Sequence, residues 1–165
     1  MAHLRLIALA LVAACGQAGA QANAAASGIT PPAGWQALPE VARAAADAAK
    51  GDGVTVAGSE AWGDPARGCY GVWLKVSGTG VSAEQVLAGI ASEAAETKIE
   101  IKDIVKPAAS DGNGIVAFAF DTASYTGRMR ARIESGSLTA LACFANERER
   151  VGCDAACTTL LGALP

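Results

Sequence analysis

The centre of the chain alternates apolar and polar residues with a period of two, which predicts antiparallel β-strands. Over residues 125–134 the apolar side chains fall on one face, with Gly127 between them: Tyr125, Met129, Ala131 and Ile133. The opposite face carries the polar set Thr126, Arg128, Arg130, Arg132 and Glu134. We therefore expect this strand to bury one face and to expose the other, as in an antiparallel sheet.

Two neighbouring segments extend this pattern to a three-stranded meander. The preceding segment, Ile115–Phe120, and the following one, Leu138–Phe144, are apolar on both faces. The following strand is therefore predicted to be central and covered on both sides. Between residues 134 and 137, Gly136 can adopt a positive φ at little cost, which favours a tight hairpin.

Helical and strand patterns alternate before and after the meander. They predict, in order, a helix over Glu40–Lys50, strands over Val54–Trp62 and Gly68–Val76, a helix after Ser82 to about Thr97, a strand over Ile99–Val105, and a last helix from about Asp154. A capping box opens the second of these helices, with reciprocal side-chain to backbone bonds between Ser82 and Gln85. The fold class is α+β: a single antiparallel sheet with helices packed mainly on one face, a two-layer sandwich.

The N-terminus predicts export. Residues 1–14 combine Arg5 with an apolar run over residues 6–14, as in a signal peptide. The sequence Val12-Ala13-Ala14-Cys15 is similar to a bacterial lipobox, so we expect an envelope lipoprotein with a lipid on Cys15. The alternative is cleavage after Ala20, which gives a soluble periplasmic or secreted protein. Residues 15–30 are predicted as a flexible tether and residues 31–165 as the folded domain.

The net charge of the chain indicates which classes of partner to expect. The chain has 13 basic and 16 acidic residues, and removal of the segment containing Arg5 leaves 12 basic residues and a net charge of −4. A mildly acidic domain without a basic stripe lacks the electrostatic footprint of a nucleic-acid-binding protein. We therefore expect no nucleic acid among the partners.

The cysteines predict disulfide bonds. Processing removes Cys15 from the pool of free thiols, which leaves Cys69, Cys143, Cys153 and Cys157. An even number in an oxidising compartment favours two disulfides, and three pairings are possible. Because two cysteines four residues apart in one helix suit a mutual disulfide poorly, we favour Cys143–Cys153 with Cys69–Cys157. A thiolate metal site or a redox centre is the alternative.

Candidate catalytic residues are few. The only histidine, His3, lies in the predicted signal peptide, which excludes a Ser-His-Asp triad, a Cys-His dyad and histidine-ligated metal from the mature chain. A pair of carboxylates could act as acid and base. The candidates are Glu60, Asp64, Asp103 and Asp121, but their spacing also fits turn or surface positions. We predict no enzymatic activity, no metal and no cofactor.

The one patterned polar feature is Arg128, Arg130 and Arg132 on a single strand face, about 7 Å apart at successive alternate positions. It indicates a surface for an anion or an acidic partner. The alternative is a solvated face whose arginines pair with carboxylates such as Glu134 or Glu100, and such surface pairs contribute little.

The chain resembles the PsbP-like α+β fold of a photosystem accessory protein, a nuclear-import regulator and many small bacterial exported proteins. The resemblance rests on Pro32-Ala-Gly-Trp35, on strand Cys69–Val76 with the helix after Ser82, and above all on Tyr125-Thr-Gly-Arg-Met-Arg-Ala-Arg before Leu138–Phe144 and the last helix. It implies a non-catalytic accessory or adaptor role. Four cysteines and an Ala-rich first helix depart from the pattern.

These observations favour a non-enzymatic, envelope-tethered, monomeric domain that binds another envelope protein. The alternative is a carrier of a small apolar ligand held between the helices and the sheet. Five small residues could leave space for such a ligand: Ala117, Ala119, Ala131, Ala140 and Ala142. Close packing of helices on the sheet explains the same residues.

Overall fold

One open antiparallel sheet organises the protein. The computed structural model describes residues 26–51, 53–79, 81–108, 113–146, 148 and 150–164, and within them it contains seven strands and three helices. In chain order they are β1 (Gln36–Ala37), α1 (Pro39–Ala49), β2 (Val54–Asp64), β3 (Cys69–Gly78), α2 (Ala83–Thr97), β4 (Glu100–Val105), β5 (Gly114–Asp121), β6 (Tyr125–Glu134), β7 (Ser137–Asn146) and α3 (Arg150–Gly162). The α+β class predicted from the sequence is confirmed.

The strands follow the order β1-β2-β3-β7-β6-β5-β4, and every neighbouring pair is antiparallel. This order puts β7 in the middle of the sheet, where both of its faces are buried from Leu138 onwards apart from Thr139 and Asn146. The central position predicted from its two apolar faces is confirmed, because a strand that is apolar on both sides needs cover on both.

A tight turn sets the register of β6 against β7. Glu134 pairs with Ser137, so the loop contains only Ser135 and Gly136, whose φ angles are 42° and 79°. Positive φ at both positions matches the twist of a two-residue hairpin, and glycine adopts it without a steric penalty. The register that follows brings Arg128 next to Cys143 and Arg130 next to Leu141.

Helices α1 and α2 share one face of the sheet. The buried alanines of α1, such as Ala45, belong to the same apolar cluster as Leu74 of β3 and Val86 and Ile90 of α2. The small alanine side chains on the buried side of α1, at Ala42, Ala45 and Ala49, let its backbone come close to the strands. A hydrogen bond of 2.8 Å from the Ser59 hydroxyl to the carbonyl of Ala42 also ties α1 to β2.

Helix α3 packs on the opposite face. Its inward residues form a second cluster with β2, β3 and β7: Trp62, Cys69, Trp73, Leu141, Cys143, Ala145, Cys153, Cys157, Leu160 and Leu164. The sequence-based prediction that the helices pack mainly on one face is therefore not confirmed, because the sheet has helices on both sides. The physical reason is that β3 and β7 are apolar on both faces, so burying only one would leave Trp73 and Leu141 in water.

Three details differ from the sequence-based expectations. Helix α3 begins at Arg150, before Asp154. At the start of α2, the Ser82 hydroxyl accepts from the Gln85 N–H at 3.3 Å, but the Gln85 side chain accepts from that hydroxyl and not from the backbone of Ser82. Ser27, placed in the tether by its sequence, hydrogen-bonds Glu60 of β2, so contacts with the domain begin before residue 31.

Candidate functional site: the arginine row and the open sheet face

The arginine row, Arg128, Arg130 and Arg132, lies on one face of β6, as its alternation predicts. Register places each arginine between a residue of β7 and one of β5: Cys143 and Ala119 for the first, Leu141 and Ala117 for the second, Thr139 and Ile115 for the third. Because Cys143 and Leu141 belong to the α3 cluster, the row lies on the same side of the sheet as α3. It begins beside the helix and runs away from it.

The three arginines differ in their contacts. The Arg128 guanidinium donates to the Thr158 hydroxyl at 3.0 Å and lies 3.6 Å from the Asp154 carboxylate, so α3 occupies it. Arg132 meets Glu134 at 3.4 Å, while Glu100, the other carboxylate suggested by the sequence, pairs with Lys102 instead. Among the described residues, Arg130 makes no hydrogen bond and no ion pair. The row is therefore not a uniformly paired, solvated face.

Among the described residues, α1 and α2 pack on the other face, and α3 lies against β7, β3 and β6, so no described helix covers β5 and β4 on this side. On β5, alternate residues are buried in the apolar cluster that contains Val86 and Ile90 of α2, and those between them are only half-buried. We call this surface the open sheet face; its members are Val105, Ile115, Ala117, Ala119, Arg130 and Arg132. It combines small and apolar side chains with cations along one border.

Two disulfides hold α3 in place and so define the border of the open sheet face. Cys69 of β3 pairs with Cys153, and Cys143 of β7 pairs with Cys157, with Cα atoms 5.6 and 5.3 Å apart. The four cysteines predicted to form disulfides do so, but the favoured pairing was wrong. Helix α3 presents two cysteines one turn apart to two adjacent strands, so the partner of each depends on how the helix lies across the sheet.

The four candidate catalytic carboxylates lie apart. Glu60 accepts hydrogen bonds from Ser27, and Asp64 closes the β2–β3 turn by accepting from the Arg67 N–H at 3.3 Å. Asp121 pairs with Lys102 at 3.0 Å, and Asp103 occupies the irregular part of β4 with a φ of 53°. The strand register pairs none of the four with another. No charged side chain is buried among the residues that the structure describes.

One titrating group is perturbed near the open sheet face. The hydrogen bond to Asp121, followed by the one to Glu100, raises the pKa of Lys102 above its ordinary value of 10.5. Both carboxylates favour the charged ammonium because each interacts better with the cation than with the neutral amine. This group stays protonated at physiological pH and ties β4 to β5, so it is a structural cation.

The five small residues considered for a ligand cavity lie on two different faces. Ala131, Ala140 and Ala142 belong to the cluster beneath α1 and α2, whereas Ala117 and Ala119 belong to the open sheet face. A single cavity between helices and sheet therefore does not contain all five. Sequence spacing could not separate them, because the register between β5, β6 and β7 depends on the turns.

Some of the features predicted from the sequence fall on residues that the structure does not describe. Residues 1–25, including His3, the predicted signal peptide and the predicted lipidation residue Cys15, lie outside the described residues. In the described ranges, no group of three histidine, cysteine, aspartate or glutamate side chains could hold a metal ion. No helix in those ranges is both long and apolar enough to cross a membrane.

Comparison with known proteins adds no family to this description. No family model matches the chain, and no curated protein is a significant match to its sequence. The resemblance to the PsbP-like fold therefore stays a prediction from sequence pattern.

Proposed function

We propose that this protein is a non-enzymatic accessory or adaptor domain of the bacterial envelope that binds another protein. The observation that carries the proposal is the open sheet face, where Arg130, which has no polar partner among the described residues, borders apolar strand residues. Half-exposed apolar surface next to unsatisfied cationic groups is typical of protein-binding sites, where arginine is enriched. The fold we infer is PsbP-like, whose small exported members have accessory roles.

The two disulfides support the location. They fit an oxidising, exported compartment, because reducing systems keep cytosolic thiols free. We further propose that a lipid on Cys15 anchors the protein and that the residues after it act as a tether. Replacing Cys15 with serine should release the protein from the membrane fraction; an equally membrane-bound, equally processed variant would remove the anchor from the proposal.

A non-enzymatic role is supported by the scattered carboxylates. Glu60, Asp64 and Asp121 each have a local partner, and acid–base catalysis needs two such groups within reach of one substrate. Glu60 and Asp64 lie four residues apart on β2, and three strands separate β2 from Asp121 on β5. Their contacts explain them as anchors of the entry segment, a turn and the β4–β5 edge.

The partner can be captured by photo-crosslinking in the native envelope. A photoreactive residue at Ala117, in the open sheet face, should give a defined protein adduct, and the same residue at Lys50, at the end of α1 on the other side, should not. Intact mass of the disulfide-bonded product reports the partner by size. A small adduct of a few hundred daltons that copurifies without crosslinking would instead support the apolar-ligand carrier.

A charge reversal makes this test specific. Arg130→Glu should reduce the adduct strongly while changing the free energy of unfolding by no more than about 0.5 kcal/mol, because Arg130 makes no polar contact with the residues that the structure describes. Thermal unfolding provides the folding control. If neither crosslinking position gives a protein adduct, or if Arg130→Glu leaves the adduct unchanged, the proposal that a partner binds through the open sheet face is wrong.

A further inference from the structure

The open sheet face has a specific chemistry that depends on which charges are already paired. Two carboxylates beside it are paired: Glu134 with Arg132 at 3.4 Å, and Asp121 with Lys102 at 3.0 Å, a lysine that Glu100 also contacts at 3.0 Å. Arg130 and Lys75, in contrast, form no ion pair among the described residues. Among the described residues, the unpaired charge on β3 and β6 is therefore positive, although the whole chain is acidic.

Arg130 lies where this charge matters most. Its neighbours across the sheet are Leu141, which is completely buried, and Ala117, which is half-buried. Water is therefore partly excluded around the base of the side chain, and a carboxylate bound there would be less screened than on an open surface. Arginine also offers a planar fork that binds a carboxylate through two hydrogen bonds.

The apolar part of the face lies directly beside this arginine. Ile115, Ala117 and Ala119 follow one another along β5, and Val105, with 54% of its surface exposed, extends the surface onto β4. The small alanines permit the backbone of a partner to come close to the sheet. Helix α3, held by the two disulfides, forms a fixed wall on the opposite border.

From this arrangement we infer that the occupant of the open sheet face is an acidic amphipathic segment of the partner protein, in which carboxylates alternate with apolar side chains. The carboxylates meet Arg130, with Lys75 and Arg132 nearby, and the apolar residues cover Ile115 and Ala117. The inference rests on the proposed protein-binding function and adds the chemistry of the bound segment. Charge complementarity selects this occupant over a neutral or basic one.

A selection from a random peptide display library tests this chemistry without knowledge of the native partner. The purified protein, with both disulfides formed, is used as bait next to Arg130→Glu and Lys50→Glu. The last variant is a matched reversal at an exposed lysine on the other side of the molecule. Peptides selected by wild type should combine several acidic residues with apolar ones. They should bind Lys50→Glu equally and Arg130→Glu at least about tenfold more weakly, since one lost half-buried charge contact has about this effect on Kd.

The outcomes separate this inference from the proposed function. Selected peptides without an acidic excess, or with equal affinity for Arg130→Glu, would overturn the inference, even if the native crosslink at Ala117 identifies a protein. An acidic selection with no native protein adduct would leave the chemistry standing and remove the adaptor function. If the protein binds vesicles containing phosphatidylglycerol and Arg130→Glu abolishes this binding, the occupant is a lipid surface and not a peptide. If the protein self-associates and Arg130→Glu abolishes the association, the occupant is a second copy of the chain.

Discussion

Removing the two disulfides one at a time should destabilise the protein by different amounts. Both bonds join α3 to neighbouring strands, and all four cysteines are buried, so replacing either pair by alanine removes similar packing. The main difference is the length of chain that each bond closes: 84 residues for Cys69–Cys153 and 14 for Cys143–Cys157. A crosslink that closes the longer loop restricts the unfolded chain more.

The entropy of loop closure gives the expected contribution of each disulfide to the free energy of unfolding. The chain-entropy relation gives about 4.5 kcal/mol for the bond that closes 84 residues and about 3 kcal/mol for the one that closes 14. The remaining bond shortens the longer loop only slightly, because it bypasses just the chain between Cys143 and Cys157. The C69A/C153A variant should therefore be less stable than C143A/C157A by about 1.5 kcal/mol, or about 5 °C in Tm for a domain of this size.

Urea unfolding followed by tryptophan fluorescence measures this difference under non-reducing conditions. Intact mass must first show that each variant has kept its other bond, and unfolding in the presence of a reductant should bring wild type and both variants close together. Equal losses, or a larger loss for the shorter loop, would refute the reasoning. The contribution of the bonds would then depend on how tightly α3 is held in the folded state rather than on the freedom of the unfolded chain.

Three further predictions concern the space around two glycines, the contact between Ser27 and Glu60, and the titration of Lys102. Gly71→Ala should lower the free energy of unfolding by about 1–3 kcal/mol, because the new Cβ would overlap the side chains of Leu160 in α3 and Trp35. Gly152→Ala in α3, whose Cβ would meet nothing within 4 Å, should raise the free energy of unfolding by up to about 1 kcal/mol. Urea unfolding measures both changes, and equal effects would contradict the packing around Gly71. Glu60→Ala should speed amide exchange at Ser27 about tenfold or more by removing a charged acceptor, and unchanged exchange would contradict that anchor. Because the folded pKa of Lys102 is raised, its stabilising contribution should be complete below pH 10.5 and lost as the pH rises through the folded value; an NMR titration midpoint at or below 10.5 would disprove this.

Alternation was enough to identify most of the sheet. The strand over residues 125–134 has the predicted bounds, and its neighbours differ from prediction by only a residue or two at each end. Apolar residues on both faces of the segment before Phe144 correctly predicted a central strand. Such signals are local, because a side chain two residues away points to the same face whatever the rest of the chain does.

Interactions between distant elements could not be predicted in the same way. The strand β1 has only two residues, Gln36 and Ala37, and exists because it pairs with the end of β2. The beginning of α3 at Arg150 was missed because the sequence has no capping signal there, whereas Asp154 is a residue type that favours the N-cap position. The different roles within the arginine row depend on where α3 ends up, and nothing in the spacing of the three residues could separate Arg128 from Arg130.

The sequence by itself determined six of the seven strands and the presence of three helices, the single antiparallel sheet, the common face of the arginine row and the four cysteines available for disulfides. Each of these follows from short-range periodicity or from composition. Only the tertiary structure decided that α3 packs on the second face, that Cys69 pairs with Cys153, and that Arg130, beside Ala117, has no polar partner among the described residues. These features depend on strand order and on the placement of one helix, which result from packing the apolar faces of residues far apart in the chain.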